Sequence, residues 1–171
     1  MALTIQGKRV ERSQKVAFMK VGETGTFNRM QGFTAFPPAK NATTYERTYV
    51  DEKGPRTDTV GMSESIEYTF DYYKGNPVHD AIVEITDKEK IGDEAIVEIM
   101  IVDLMDLAST TFPAKKRAYS VTPGTEGDGT DTYAYGGTFT SNGEVEIGTA
   151  TTTDDWMTAT FVPESSGETG A

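Results

Sequence analysis

The chain has 171 residues, with 16 Lys or Arg against 27 Asp or Glu, a net charge of -11. That length supports one domain with a real core. The acidic balance argues against sequence-reading contact with DNA or RNA, where Lys and Arg must neutralise phosphates. There is no cysteine, which removes disulfide frameworks and thiolate chemistry. Residues 1–20 lack the apolar stretch of a signal peptide, and no run approaches the ~18 apolar residues of a membrane helix. The expectation is a soluble protein, made in a cytoplasm and without a membrane anchor.

Residues 1–20 hold Lys8, Arg9, Arg12, Lys15 and Lys20 against Glu11 alone, whereas no Lys or Arg follows Arg117. A basic head and an acidic tail favour self-association. The head has little periodicity and reads as an N-terminal arm, flexible or docked, ahead of a single β domain over residues 21–162. Strands are expected near residues 24–30 and 32–36, the second stopped by Pro37-Pro38. Residues 40–61 are polar around Tyr45, Tyr49 and Val50 and turn at Gly54-Pro55. They read as a long loop or an extended hairpin leaving the body of the domain. Connections of ~20 residues are seldom idle in compact domains, so a partner-binding arm is expected.

Residues 65–73 alternate Ile66, Tyr68, Phe70 and Tyr72 against Glu67, Thr69 and Asp71, the mark of a half-buried strand. Asn76-Pro77 opens a helix: Asn accepts from the first free N–H groups, and Pro needs no partner at the first helical position. Val78, Ala81, Ile82 and Ile85 then recur at helical spacing, ending near residues 87–89. The longest apolar run is AIVEIMIVDL, residues 95–104. Extended, it is apolar on both faces and so is covered on both. Further strands are expected at residues 116–122, 132–140 and 155–162. Ser141-Asn142-Gly143 predicts a three-residue hairpin turn, pairing Phe139 with Val145 and Gly137 with Ile147 and setting Gly143 at positive φ. Residues 163–171 read as a disordered C-terminal tail. The tally is a mainly β protein, an antiparallel sandwich or partly rolled barrel with one flanking α-helix. Its expected core includes Ile82, Ile85, Ile99, Ile101, Phe139 and Val145.

Chemistry is sparse. His79 is the single histidine and is expected on the surface; alone and without cysteine it is a poor zinc ligand. Asp154 and Asp155 are adjacent, so a strand points them apart. Glu144 and Glu146 share a strand face with no acid–base partner implied. Residues 128–131 (DGTD) echo a calcium loop without its ligand spacing, and residues 22–25 lack the phosphate-loop pattern. No catalytic, cofactor or metal residues are expected, and the protein does not read as an enzyme. What remains suits assembly: strands apolar on both faces, a tyrosine-bearing excursion and ends of opposite charge.

The chain resembles the major tail protein, or tail tube protein, of long-tailed non-contractile bacteriophages of Gram-positive hosts. The resemblance rests on Lys40-Asn41 followed by TTYERTYVDE (residues 43–52), residues 65–73, Pro77-Val78 and VDL (102–104). AKKRAYSVTP (114–123) and YGGTFTSNGEVEIG (135–148) complete it. It implies a β-sandwich with a flanking helix, six copies to a ring, and rings stacked into a hollow tube. The tube would surround a tape-measure protein, meet tail-end proteins and later conduct DNA without sequence-specific binding. The implied location is the virion tail, after assembly in the host cytoplasm. By the same resemblance residues 40–61 reach a neighbouring ring or subunit, which makes Tyr45, Arg47, Tyr49, Asp51, Glu52 and Arg56 inter-subunit candidates. Glu144 and Glu146 are the candidate acids facing the lumen. Two alternatives stand beside this reading. One is a β-sandwich module binding carbohydrate or protein, with Trp156, Tyr133 and Tyr135 as its aromatics. The other is the inner-tube protein of a contractile tail or secretion system.

Overall fold

The computed structural model describes residues 5–23, 25–105, 110–127 and 129–164. The fold is mainly β with one α-helix, and the chain forms two compact units.

The first unit takes residues Met1–Met30, Glu98–Lys116 and Val145–Ala171. Its strands are β1 (Lys15–Lys20), β2 (Thr26–Arg29), most of β6 (Ile96–Asp103), the start of β7 (Phe112–Glu126), β9 (Glu146–Thr151) and β10 (Thr158–Pro163). Hydrogen bonding runs β7–β6–β1–β2–β10–β9 and returns from β9 to β7, so the six strands close into a barrel. Closure leaves no free sheet edge, the strongest protection a sheet can have. Val16, Phe18, Phe27, Met100, Val102, Phe112, Ala114, Ala150 and Ala159 fill the interior. Burying each larger side chain contributes about 1.5–3 kcal/mol.

The inward alternation continues to one end of the barrel through Lys20, Glu98, Lys116 and Glu146. There the charges form a chain: Lys20 to Glu98 at 3.3 Å, Glu98 to Lys116 at 3.7 Å and Lys116 to Glu146 at 3.1 Å. Lys116 Nζ also lies 4.9 Å from the Phe161 ring centre. Glu98, which interrupts the middle of the long apolar run, is thus paired on both sides. The other face of β6 is covered too, with Ile99 2% exposed and Ile101 half-buried.

The stretch read as an arm, residues 1–20, ends in β1, whose Phe18 and Met19 are fully buried. Charged neighbours on either side hide this short strand in the sequence. Residues 1–4 lie outside the described residues, as does the tail beyond residue 164.

The second unit takes Gln31–Val97 and Arg117–Glu144. It holds β3 (Phe33–Ala35), β4 (Pro38–Arg47), β5 (Arg56–Asp71), α1 (Pro77–Asp87), β8 (Ala134–Ser141) and the rest of β7. β5 lies between β8 on one edge and β4 and β3 on the other. One face of this sheet is apolar, built on Ile66, Tyr68, Phe70, Tyr119, Val121, Tyr135 and Phe139. Gly137 is required there because Tyr68 lies over it: a Cβ at that position would stand 2.7 Å from the phenolic oxygen. The opposite face is polar. Registered rows cross it as Ser65–Thr140–Ser120 and Glu67–Thr138–Thr122.

α1 begins as its sequence predicts. The Asn76 side chain accepts from Val78 N (3.1 Å) and His79 N (3.3 Å), and Pro77 takes the first position. Val78, Ile82 and Ile85 are buried with Phe139. His79 corrects its surface expectation. It is fully buried, stacked 4.5 Å from the Phe70 ring. Its Nε2 lies 2.6 Å from Gln31 O, and its Nδ1 accepts from Tyr73 N at 3.1 Å. One nitrogen must donate and the other accept, which is the neutral imidazole. Burial lowers its pKa from the ordinary histidine value.

The hairpin prediction is overturned. β8 pairs with β5 and β7, while β9 pairs with β7 and β10. Ser141-Asn142-Gly143 therefore links two strands that do not pair with each other, and Phe139 does not meet Val145. Val145 is 43% exposed rather than core. Gly143 does have positive φ, at 125°, but serves an irregular link and not a tight turn. The expected strand at residues 155–162 starts late as well. Asp155 and Trp156 have φ of 56° and 65°, held by a turn in which Asp154 accepts from Thr158 N at 2.9 Å.

Candidate assembly interface

Residues 40–61 form neither an irregular loop nor a compact one. β4 and the first part of β5 make a two-stranded antiparallel ribbon, in register from Pro38 opposite Ile66 to Arg47 opposite Arg56, with one shift between Thr43 and Thr44. Every residue of β4 is exposed. β4 pairs only with β5, and before Ser65 the second edge of β5 has no strand partner among the described residues. Both edges of the ribbon are thus open for that length. Isolated two-stranded ribbons are marginal in water, so local contacts must hold this one.

At the tip those contacts come from the residues singled out in the sequence. Arg47 Nε donates to the Tyr45 hydroxyl at 2.9 Å, and its guanidinium lies 5.1 Å from the Tyr45 ring centre and 5.9 Å from that of Tyr49. Arg56 lies 5.8 Å from Tyr49 on the same ring system and pairs with Glu52, its Nε 2.8 Å from Oε2. Stacking of this kind contributes about 0.5–1 kcal/mol at exposed sites. The turn closes through Glu52 N to Tyr49 O at 3.1 Å. Asp51 is exposed within it. Tyr45, Arg47, Tyr49, Glu52 and Arg56 are therefore one cluster. Tyr45 and Tyr49 nevertheless stay 46% and 45% exposed, Val50 is exposed in the turn, and Val60 and Met62 are exposed farther along β5. Exposed apolar groups gathered on a projecting element mark interaction surfaces.

The base is held differently. Glu64, opposite Lys40 in register, is only 2% exposed and pairs with both Lys40 and the Tyr119 hydroxyl. Burial, then the bond to Glu64, raises the Tyr119 pKa above the ordinary phenol range. Glu64 N donates to Ser141 Oγ at 3.0 Å. Arg117 donates to Gly143 O (2.8 Å) and Met62 O (3.3 Å). These bonds fix the line along which β5 leaves the sheet. Sequence reasoning missed Glu64, Arg117 and Tyr119 as a group. The one available signal was an isolated Glu two residues before the alternating run.

The other candidates are dispersed. Glu144 lies in the link before β9 and Glu146 at its first residue, so they share no strand face, and Glu146 is paired with Lys116. Ile82, Ile85, Ile99 and Phe139 are buried. Asp128, of the acidic loop, lies outside the described residues. Among the described residues no group of three or more His, Asp or Glu could hold a metal ion, and no helix is long and apolar enough to cross a membrane.

No protein-family model matches the chain, and neither does any curated protein. Solved structures do match. A chain from the tail of an empty gene transfer agent particle, refined with sixfold symmetry, superposes with a TM-score of 0.57 at 14% identity, over 81% of this chain and 98% of that one. A chain from the virion of a native gene transfer agent particle gives 0.53 at 12%, over 81% and 98%. A chain from the sixfold-symmetrised baseplate of an anti-feeding prophage gives 0.51 at 7%, over 84% and 97%. At these identities the likeness is one of fold: the chain has the tail-tube-like fold found in phage-derived tails and baseplates.

Proposed function

We propose that the protein is a structural subunit that self-assembles into sixfold rings, and that the rings stack into a tail tube conducting a genome. The observation that carries this is the ribbon: an element open on both edges, with every residue of β4 exposed and tipped by a held Arg–Tyr cluster. An open edge is a liability unless a partner covers it. The fold likeness to a chain of a sixfold tail supports a second copy as that partner. On this reading Tyr45, Arg47, Tyr49, Asp51, Glu52 and Arg56 meet the next subunit or ring. A tape-measure protein occupies the lumen during assembly in the host cytoplasm, tail-end proteins cap the tube, and the finished subunit resides in the virion tail.

The likeness to a baseplate chain favours a second reading, a ring subunit at the end of a tube. Negative-stain microscopy of the purified protein over a concentration series separates the two. Long tubes with a central channel are expected, and single rings at every concentration would support the tail-end role. Monomers at every concentration would count against both.

A further inference from the structure

At one end of the sheet in the ribbon-bearing unit, the alternation of β5 and β8 gathers three tyrosines on the face that carries Phe70. Tyr135 lies opposite Phe70 and, on its other side, opposite Glu126 of β7. Tyr72 follows β5 and Tyr133 precedes β8, and Tyr72 N donates to Tyr133 O at 3.0 Å. Tyr135 is the floor, 6% exposed. The Tyr72 ring stands at 77° to it with centres 5.7 Å apart, and the Tyr133 ring at 60° and 5.3 Å. Both outer rings meet water, Tyr72 half-buried and Tyr133 exposed. Gly127 makes room for Tyr133, since a Cβ there would stand 3.1 Å from the ring. The three rings form a steep aromatic corner.

Carboxylates surround this corner. Asp80 of α1 accepts from the Tyr72 hydroxyl at 2.9 Å. Burial, then the charges of Asp87 and Glu126, pushes the Tyr135 pKa up to about 12, so both acids act on that ring. Among the described residues no Lys or Arg pairs with Asp80, Asp87 or Glu126, and Lys88 and Lys90 are both taken by Glu84. The Tyr135 hydroxyl has no hydrogen-bond partner among the described residues, yet it is not sealed from water. A phenol buried in its ring thus keeps its polar atom open.

We propose that this corner binds an organic cation, the guanidinium of an arginine side chain on a partner protein. Aromatic faces attract cations through their negative quadrupole, and three carboxylates add a field of the same preference. A guanidinium suits both. It is flat enough to lie against a ring, it carries N–H donors for the carboxylates and the Tyr135 oxygen, and it is more weakly hydrated than an ammonium group. A quaternary ammonium has no donor to offer. Free arginine brings its own carboxylate, which the acids of the corner repel, so the fitting source is an arginine within a chain. None of these residues belongs to the ribbon, and the assignment does not depend on ring formation.

The test is fluorescence anisotropy with a short dye-labelled peptide, capped at both ends and carrying one arginine among glycines, titrated with the intact protein at low salt. Saturable binding in the millimolar range is expected. Replacing the arginine by citrulline, its neutral isostere, should weaken binding at least ~10-fold, and lysine should weaken it by less. Tyr133→Ala and Glu126→Gln should each weaken arginine binding ~5-fold or more. Tyr133→Phe should keep it, because the ring face remains, and Ile5→Ala should leave it unchanged. Tyr133 and Glu126 are exposed, so circular dichroism should show every variant folded. Equal binding of the arginine and citrulline peptides overturns the assignment, as does wild-type affinity in both Tyr133→Ala and Glu126→Gln. Binding by the wild type that never saturates overturns it too. Tetramethylammonium chloride that competes at a lower concentration than the unlabelled arginine peptide overturns the choice of a guanidinium.

Discussion

The six-stranded barrel and the β4–β5 ribbon follow opposite rules within one chain. In the barrel every edge is paired, and even the charges at its end are linked from Lys20 to Glu146. In the ribbon both edges are open and all of β4 is exposed. The barrel's stability is internal, from burial of Phe18, Met100 and Phe112. The ribbon's shape depends on a few polar contacts at its tip and base. The difference shows where the chain uses its backbone hydrogen bonds within itself and where, among the described residues, it leaves strand edges without a strand partner.

The largest expected effect separates the two regions outright. Ile99→Asp places an unpaired charge at a position 2% exposed, a cost of several kcal/mol. It should abolish the cooperative unfolding transition seen by circular dichroism. A folded Ile99→Asp protein would mean that this face of β6 opens readily to water.

An acid titration sharpens the comparison, because the only histidine lies in the ribbon-bearing unit. Burial lowers the His79 pKa, with Asp80 and Asp71 opposing that shift. The unfolded chain therefore takes up a proton that the fold refuses. This contribution is complete above pH ~6.5 and is lost as pH falls through the folded pKa. Urea midpoints should drop between pH 7.5 and 5.5, and His79→Gln should remove most of that dependence. Hydrogen exchange should show α1 loosening before the barrel. An unchanged midpoint would mean that burial does not hold the folded imidazole below the unfolded one in pKa.

The smallest effect on folding should be the largest on assembly. Tyr45→Ala/Tyr49→Ala removes stacking worth about 0.5–1 kcal/mol for each contact, so the thermal midpoint should move by only a few degrees. Sedimentation should nevertheless show oligomers giving way to monomers. Loss of fold would make the tyrosines part of the core architecture, and intact assembly would move the interface elsewhere.

What could be read in the sequence was what local chemistry decides. Asn76-Pro77 and the spacing of Val78, Ile82 and Ile85 specify α1 without outside help. The alternation of Ile66, Tyr68 and Phe70 locates the strand they lie in. The ribbon was legible as an excursion, read as a long loop or an extended hairpin; the hairpin holds, but its strand bounds were not legible, because polar residues paired across open edges carry no burial pattern. Ser141-Asn142-Gly143 misled because turn chemistry is local while strand partners are not. The true partners of β8 and β9 stand at Ser65–Asp71, along β7 and at Thr160–Pro163. His79 was misplaced for a related reason: its partners Gln31 O and Tyr73 N are backbone groups, which leave no trace in residue type.

Barrel closure also sets a timetable. Its strands come from the first thirty residues, the middle of the chain and the segment ending at Pro163. β2 has β10 as its outer neighbour, and β10 leads through β9 back to β7. A ribosome must therefore release residue 163 before the circle can shut, whereas every strand of the ribbon-bearing unit has emerged by Ser141. Pairings so distant in sequence form slowly. During synthesis the ribbon is thus made well before its own subunit is complete, and neighbouring nascent chains on one message would display it together. If copies assemble as proposed, barrel closure must outrun premature contact between unfinished chains.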